Sequence, residues 1–183
     1  TFSDQAVTVL GLYYKWQAFF FIPLGAMQTC IVPVVSYNYA AGKYERCKKT
    51  LKVAIIFGIA LMMIGVVLFE TIPGPMLHVF SHDPKVISIG EVAFRFIGIS
   101  FIPLVSSLTF PVFFQALGHA VKSSILTIIR TVFLFIPLAY LFSRFGLNYF
   151  WLTFPVTDSI TTLAGYLFYR QFVKKTMPKT IME

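Results

Sequence analysis

The stretch from Trp16 to Gly42 contains no charged residue, and this feature constrains the possible fold more than any other. A helix needs about 20 mainly apolar residues to cross a hydrocarbon core about 30 Å thick. Lipid offers no hydrogen-bonding partner to an open strand or loop, so an uncharged stretch of this length is expected to be helical. The sequence therefore predicts a chain that crosses a membrane.

The composition agrees with a membrane protein. Of the 183 residues, 57% are hydrophobic and only 12% are charged, and the mean hydropathy is +0.79. A soluble domain has roughly 25% charged residues, so the chain lacks the polar surface that a soluble enzyme needs. Fifteen Lys and Arg against seven Asp and Glu give a net charge of +8. Because these charges follow the loops, they indicate membrane topology, and no nucleic-acid partner is predicted.

Five stretches are long and apolar enough to be spans, and together they predict an all-α, polytopic transmembrane helix bundle. Residues 1–176 would form this bundle and residues 177–183 a cytoplasmic tail. The first residue is Thr rather than Met, and an odd number of spans is unusual for a complete bundle, so we expect a fragment that has lost one helix. The predicted spans are residues 7–38, 52–71, 87–117, 122–143 and 147–170.

The loops alternate in basic charge, which predicts the orientation. Ten Lys and Arg fall after the first, third and fifth spans, whereas four fall on the opposite side. Because cytoplasmic loops carry the excess of Lys and Arg, we expect the N-terminus outside and the tail inside. Tyr13, Tyr14 and Trp16 are expected to form an aromatic belt at the outer interface.

Two patterns within the spans concern helix packing. Ala54, Gly58 and Gly65 place small residues on one face of the second span, which predicts a close helix contact. Prolines remove backbone donors and bend helices; one alone is readily tolerated, but six together favour bent helices around a cavity. These prolines are Pro23, Pro33, Pro103, Pro111, Pro137 and Pro155.

Two charges, Arg130 and Asp158, fall deep inside predicted spans. Arg130 follows Lys122 by eight residues, which places it about 12 Å from the cytoplasmic surface at 1.5 Å per residue. Asp158 follows Leu147 by eleven residues, about 16 Å from the opposite surface. In a core of about 30 Å these depths nearly coincide, so an ion pair can form. The pair is either a permanent structural contact or a proton or cation site whose affinity depends on Arg130.

The sequence carries no motif of a catalytic centre. It contains no phosphate-binding loop, no H-E-x-x-H zinc motif and no G-x-S-x-G nucleophile elbow. His78 and His82 are one helical turn apart, but Asp83 is the single further ligand beside them, so no metal site is predicted. We therefore expect neither an enzyme nor a cofactor, apart from a coupling ion.

Four motifs, in order along the chain, resemble those of MATE (multidrug and toxic compound extrusion) transporters. The stretch Pro33–Arg46 contains Asn-Tyr-Ala-Ala-Gly and then Lys-Tyr-Glu-Arg, similar to the loop after the second helix of a MATE lobe. The others resemble an outer connector, the hinge between the fourth and fifth helices of a lobe, and the start of the last helix. They are Phe80–Ile87, Phe114–Gly118 with Ser123–Arg130, and Trp151–Asp158.

The resemblance implies a twelve-helix exporter of the bacterial inner membrane, made of two six-helix lobes. Such a transporter is a secondary antiporter that exchanges H⁺ or Na⁺ for cationic, amphipathic compounds by alternating access. This chain would be the C-terminal lobe from its second helix onward, with the N-terminal lobe as its partner. Some members carry a cation-binding carboxylate soon after the proline of the lobe's fourth helix, where this chain has Leu104 to Ser107. An acid of the N-terminal lobe is therefore an alternative coupling site.

The transporter hypothesis also suggests candidate site residues. Asp158 and Arg130 are the candidates for ion coupling, and substrate would lie between the lobes against aromatic, Met and a few polar side chains. Two other functions stay open: a flippase for lipid-linked sugars of the same superfamily, which favours a strongly cationic cavity, and a polytopic membrane protein that is not a transporter. The candidate substrate-lining residues are Gln17, Phe20, Met27, Gln28 and Ser107.

Overall fold

A computed structural model describes residues 3–177, which form helices and contain no strand. Thr1, Phe2 and residues 178–183, with Lys179 of the predicted tail, lie outside the described residues. The elements are α1 (Asp4–Ala40), α2 (Tyr44–Thr71), a short α3 (Pro73–His78), α4 (Pro84–Ala116), α5 (Ala120–Ile128), a π-helical segment (Ile129–Phe135), α6 (Ile136–Ser143), a short α7 (Leu147–Phe150) and α8 (Thr153–Thr176).

Local sequence signals explain where the long helices begin and end. Ser3 caps α1 by accepting a hydrogen bond from the Ala6 amide, and Asp83 caps α4 just before Pro84. Gly42 and Gly118 follow the ends of α1 and α4 with φ of +68° and +77°. Because residues with a side chain rarely adopt this conformation, glycine allows both turns to be tight.

Four of the predicted spans are helices that are long and apolar enough to cross a membrane: α1, α2, α4 and the continuous stretch from α5 to α6. The fifth differs from its predicted form. It divides into α7 and α8, and α8 does not reach the apolarity of the other four within the described residues. Asp158, several threonines and a basic C-terminal turn lower its hydropathy. Even so, α8 extends along the bundle from Phe154 at one end to Phe172 at the other.

Helix α4 forms the centre of the bundle. It packs against α1, α2, α3, α5 and α8, and 61% of its most apolar 18-residue stretch is buried. The helix from α5 to α6 is peripheral, because only 6% of its corresponding 18-residue stretch is buried. Its exposed apolar side chains, among them Phe133 and Ile136, are suited to contact lipid or another protein surface.

Two apolar clusters mark opposite ends of the bundle. One contains Val9, Met76 and Trp151, and the other contains Cys47, Leu117 and Met177. The basic residues after α1, after α4 and at the end of α8 therefore fall at one end of the bundle, which we call the basic end. This arrangement agrees with the predicted alternation of the loops, and the cytoplasmic location of the basic end remains a prediction.

The predicted small face of α2 is confirmed as a close helix contact. A Cβ added to Gly58 would lie 2.6 Å from Val105 Cγ1, and one added to Gly65 would lie 2.9 Å from the Phe101 ring. Ala54 is buried on the same face. Glycine thus lets α2 approach α4 more closely than any larger residue would.

The prolines interrupt the helices less than their number suggests. Helices α1 and α4 are each continuous across two prolines. The departure from α-helical geometry occurs in the fourth span, where the π-helical segment ends just before Pro137. Irregularity is therefore concentrated beside Arg130.

Candidate functional site

Asp158 is buried in the bundle. It is 2% exposed and lies on the face of α8 that packs against α4. Thr153, Thr157 and Thr161 are also buried, and their spacing of four residues places the three threonines on one side of α8. This face is polar at a depth where a membrane helix is expected to be apolar.

Two side chains from other helices donate to one oxygen of this carboxylate. Arg130 Nε lies 2.8 Å from Asp158 Oδ1, and Ser107 Oγ lies 3.0 Å from the same oxygen. Arg130 and Asp158, which were predicted to lie at nearly the same depth in the membrane, therefore form an ion pair. Ser107 Oγ is also 2.9 Å from the Leu104 carbonyl oxygen. Since a hydroxyl has one proton, that proton is shared between two acceptors.

The two ends of the ion pair differ in exposure. The Asp158 side chain is 3% exposed, whereas the Arg130 side chain is 29% exposed. A buried charge without its partner costs several kcal/mol. The charged form of Asp158 is therefore stabilised by Arg130, whereas the guanidinium of Arg130 remains partly exposed.

Arg130 lies in the π-helical segment of the fourth span. In a π-helix each amide bonds five residues back instead of four, and such segments are rare and frequent at functional sites. No residue of Ile129–Phe135 is buried. The helix that carries Arg130 is therefore irregular and sparsely packed at the position of this residue.

Two cavities adjoin the ion pair, and Arg130 lines both. The first, of about 190 Å³, includes Tyr13 and Gln17 of α1 together with Thr157 and Asp158. Its neighbours Tyr13 and Phe154 pack at the end of the bundle opposite to the basic end.

The second cavity, of about 210 Å³, includes Gln28, Ser107, Gln115 and Thr127. Gln115 lies one residue from the end of α4, so this cavity extends toward the basic end. The ion pair is located between the two cavities. The Gln28 Nε2 is buried and has no hydrogen-bond partner among the described residues, so it is a donor available to a ligand or water.

Comparison with known proteins decides the family. A sequence model of the MatE family matches residues 1–141 of this chain. The chain belongs to the MatE family. Among curated proteins, an FAD transporter of Shewanella oneidensis is 23% identical to this MatE chain over 165 residues, which are 90% of the chain and 36% of that transporter.

Solved transporters have the same fold as this MatE bundle. An outward-facing multidrug resistance MATE family transporter of the MOP superfamily matches with a TM-score of 0.89 at 19% identity, over 96% of this chain and 40% of that one. A MOP superfamily transporter from Pyrococcus furiosus matches with a TM-score of 0.87 at 21% identity, over 94% and 40%. The Vibrio cholerae MATE transporter VcmN in its bent form gives 0.88 at 17%, over 94% and 40%. The MatE chain thus spans about two fifths of the length of these structures.

Three of the five predicted substrate-lining residues adjoin the cavities. Gln17 lines the first cavity, and Gln28 and Ser107 line the second. Ser107 also binds the carboxylate directly, a role that the sequence did not predict. The structure therefore joins part of the predicted lining set to the predicted ion pair.

Phe20 and Met27 lie elsewhere. Phe20 is 8% exposed and packs against Phe69 and Phe101 in the core of the MatE bundle. Met27 packs against the same core and lines a groove between α1 and α2. Phe20 and Met27 are seven residues, or about two helical turns, apart on α1, and this spacing reflects the packing of α1 against its neighbours.

Sequence reasoning missed most residues of the first cavity, among them Tyr13 and Thr157. Tyr13, expected in an interfacial aromatic belt, is instead 2% exposed and packs against Phe154. Thr157 immediately precedes Asp158 and also lines the cavity. The i, i+4, i+8 spacing of Thr153, Thr157 and Thr161 was the available signal, because it marks a continuous polar stripe on one helix face.

Proposed function

We propose that this chain is most of the C-terminal lobe of a MATE antiporter, which exports cationic amphipathic compounds in exchange for H⁺ or Na⁺. The observation that supports this proposal is the buried Arg130–Asp158 pair between two cavities in a MatE-family bundle. An N-terminal lobe would complete the substrate site, and the membrane would be the bacterial inner membrane. Asp158 is the candidate coupling carboxylate.

The coupling step follows from the exposure of the two partners. A proton or Na⁺ that binds Asp158 neutralises the carboxylate and removes most of its attraction for Arg130. The Ser107 proton can then turn fully to the Leu104 carbonyl oxygen, and the guanidinium is free to move into either cavity. Loss of the ion returns the charge to Asp158 and restores the pair.

The energy of this exchange is comparable with the energy that a conformational change requires. Removing the charge of one partner of a buried ion pair costs about 3–5 kcal/mol. Moving a two-state equilibrium from 1:99 to 99:1 requires about 5.5 kcal/mol. One ion bound at Asp158 can therefore supply a large share of the difference between an outward-open and an inward-open state.

Vesicle transport with matched variants tests the proposal. The full-length transporter is reconstituted, and efflux of a fluorescent cation is measured under an imposed H⁺ or Na⁺ gradient. We expect Asp158→Asn to lose the response to the gradient. Asp83→Asn is the control, because it also removes one carboxylate but retains a good N-cap for α4. Normal coupling in Asp158→Asn excludes Asp158 as the coupling site, and a wild type that responds to neither gradient excludes the antiporter.

A second candidate is transport of an anionic flavin nucleotide. Two observations favour it: the curated relative is named an FAD transporter, and a guanidinium faces both cavities. The same vesicles distinguish the candidates when they are loaded with FAD instead of the fluorescent cation. Uptake or efflux of FAD without transport of the cation supports the anionic substrate.

A further inference from the structure

A groove between α1 and α2, separate from the ion pair, is located near the basic end of the bundle. Its volume is about 630 Å³, and it is lined by Met27, Ile31 and Val34 of α1 and by Val53 and Phe57 of α2. The polar residues of the same groove are Asn38, Arg46, Lys49 and Thr50. We propose that this groove binds an anionic phospholipid, phosphatidylglycerol, with its phosphate at Arg46 and Lys49.

The charge of the groove selects an anion. Arg46 and Lys49 are exposed, and no Asp or Glu oxygen of residues 3–177 lies within 4.0 Å of either cation. The neighbouring Lys48 differs, since it pairs with Glu45 at 2.7 Å. Two unpaired cations at the predicted cytoplasmic surface attract anionic headgroups, and basic pockets between spans on that side are known binding sites for such lipids.

The apolar part of the groove has the length of a lipid chain. Phe57 follows Lys49 by eight residues, or about 12 Å along the helix at 1.5 Å per residue. Half of a hydrocarbon core is about 15 Å. Val34, Val53 and Phe57 are all exposed along this length. An acyl chain that begins at the cations therefore covers apolar side chains over most of one leaflet.

Asn38 favours a headgroup that carries hydroxyls. It is 8% exposed, and its Nδ2 donates to the Val34 carbonyl oxygen at 2.8 Å. Its Oδ1 is buried without a partner among the described residues. A buried acceptor is stabilised by a donor, and the glycerol headgroup of phosphatidylglycerol supplies hydroxyl donors, whereas phosphatidylcholine has none. The proposal does not depend on the transport function proposed above.

Quenching of one introduced tryptophan tests the groove. Phe57→Trp is introduced into the full-length transporter in nanodiscs that contain acyl-brominated phosphatidylglycerol or acyl-brominated phosphatidylcholine, and the signal of the Phe57 parent is subtracted. We expect phosphatidylglycerol to quench at a much lower mole fraction than phosphatidylcholine. Each surface cation contributes about 1 kcal/mol, which is about fivefold in affinity, or roughly 30-fold for two.

Charge variants in the same background assign this preference. Arg46→Gln with Lys49→Gln is expected to lose it. Lys52→Gln with Lys174→Gln removes the same charge from the basic end outside the groove, and is expected to keep it.

Three results overturn the proposal. Equal quenching by the two lipids indicates bulk lipid only, and absence of quenching by both indicates that another part of the transporter fills the groove. A preference that survives the loss of Arg46 and Lys49 places the lipid elsewhere. If the double variant proves unstable, the comparison of the two lipids on the Phe57→Trp protein is decisive alone.

Discussion

Gly165→Ala is expected to destabilise the bundle because α8 lies directly against α4 at this point. A Cβ added to Gly165 would lie 2.6 Å from Phe110 Cδ2, 2.9 Å from Cγ and 3.0 Å from Cβ. Rotation of the ring can relieve the first of these contacts but cannot move Phe110 Cβ, which is attached to the backbone. The two helices must therefore separate.

The expected magnitude follows from two opposing effects. Inserting a methyl group into a packed core costs about 1–3 kcal/mol, and the contact with Phe110 Cβ places this case near the upper limit. Alanine is more favourable than glycine in a helix by about 1 kcal/mol. The net loss in the free energy of unfolding is therefore about 2 kcal/mol.

Matched glycine variants isolate the steric effect. Gly11→Ala and Gly25→Ala lie in α1, where an added Cβ meets no atom within 4 Å among the described residues. Both gain the same helix propensity without the clash, so we expect them to be about 3 kcal/mol more stable than Gly165→Ala. Unfolding of the full-length protein in mixed SDS–detergent micelles, followed by circular dichroism, measures this difference. If the three variants agree within 0.5 kcal/mol, the close contact between α4 and α8 is refuted.

Three further outcomes can be measured by the same unfolding experiment. Arg130→Gln leaves Asp158 buried without its partner and is expected to cost about 3–5 kcal/mol; adding Asp158→Asn should recover most of this loss, and a double variant no better than the single one contradicts the pairing. Trp16→Phe removes a 3.2 Å hydrogen bond to a carbonyl oxygen of α3, at a cost of about 1 kcal/mol; an unchanged free energy excludes a contribution from this bond. Lys122→Gln removes an ammonium group 4.4 Å from the centre of the Phe172 ring, and a loss of about 0.5–1 kcal/mol is expected; no loss shows that the contact is not stabilising.

The helices could be predicted from hydropathy because lipid imposes a minimum apolar length. The start of α2 could not. Helix α2 begins at Tyr44, eight residues before the predicted start at residue 52. Its basic first turns extend beyond the apolar stretch, so the helix continues where the hydropathy signal stops. The division of the last span at Trp151 also depends on packing, because Trp151 is fully buried in the first core cluster.

The ion pair could be predicted because depth depends on residue number alone. A constant rise per residue placed Arg130 and Asp158 at one level, and the structure confirms their contact. The contribution of Ser107 depends on the rotation of α4 relative to α8, which no spacing within either helix specifies. Phe20 illustrates the same limit: its chemistry suits a substrate site, but the orientation of α1 directs it into the core.

The two charged partners belong to helices that are held with very different strength. Asp158 is on a helix packed along α4, whereas Arg130 projects from a stretch in which nothing is buried. A rearrangement that parts them will therefore displace the arginine's helix and leave the carboxylate fixed. Spin labels on Val132 and Thr162 should report that displacement as a change in separation between the outward-open and inward-open states of the proposed cycle.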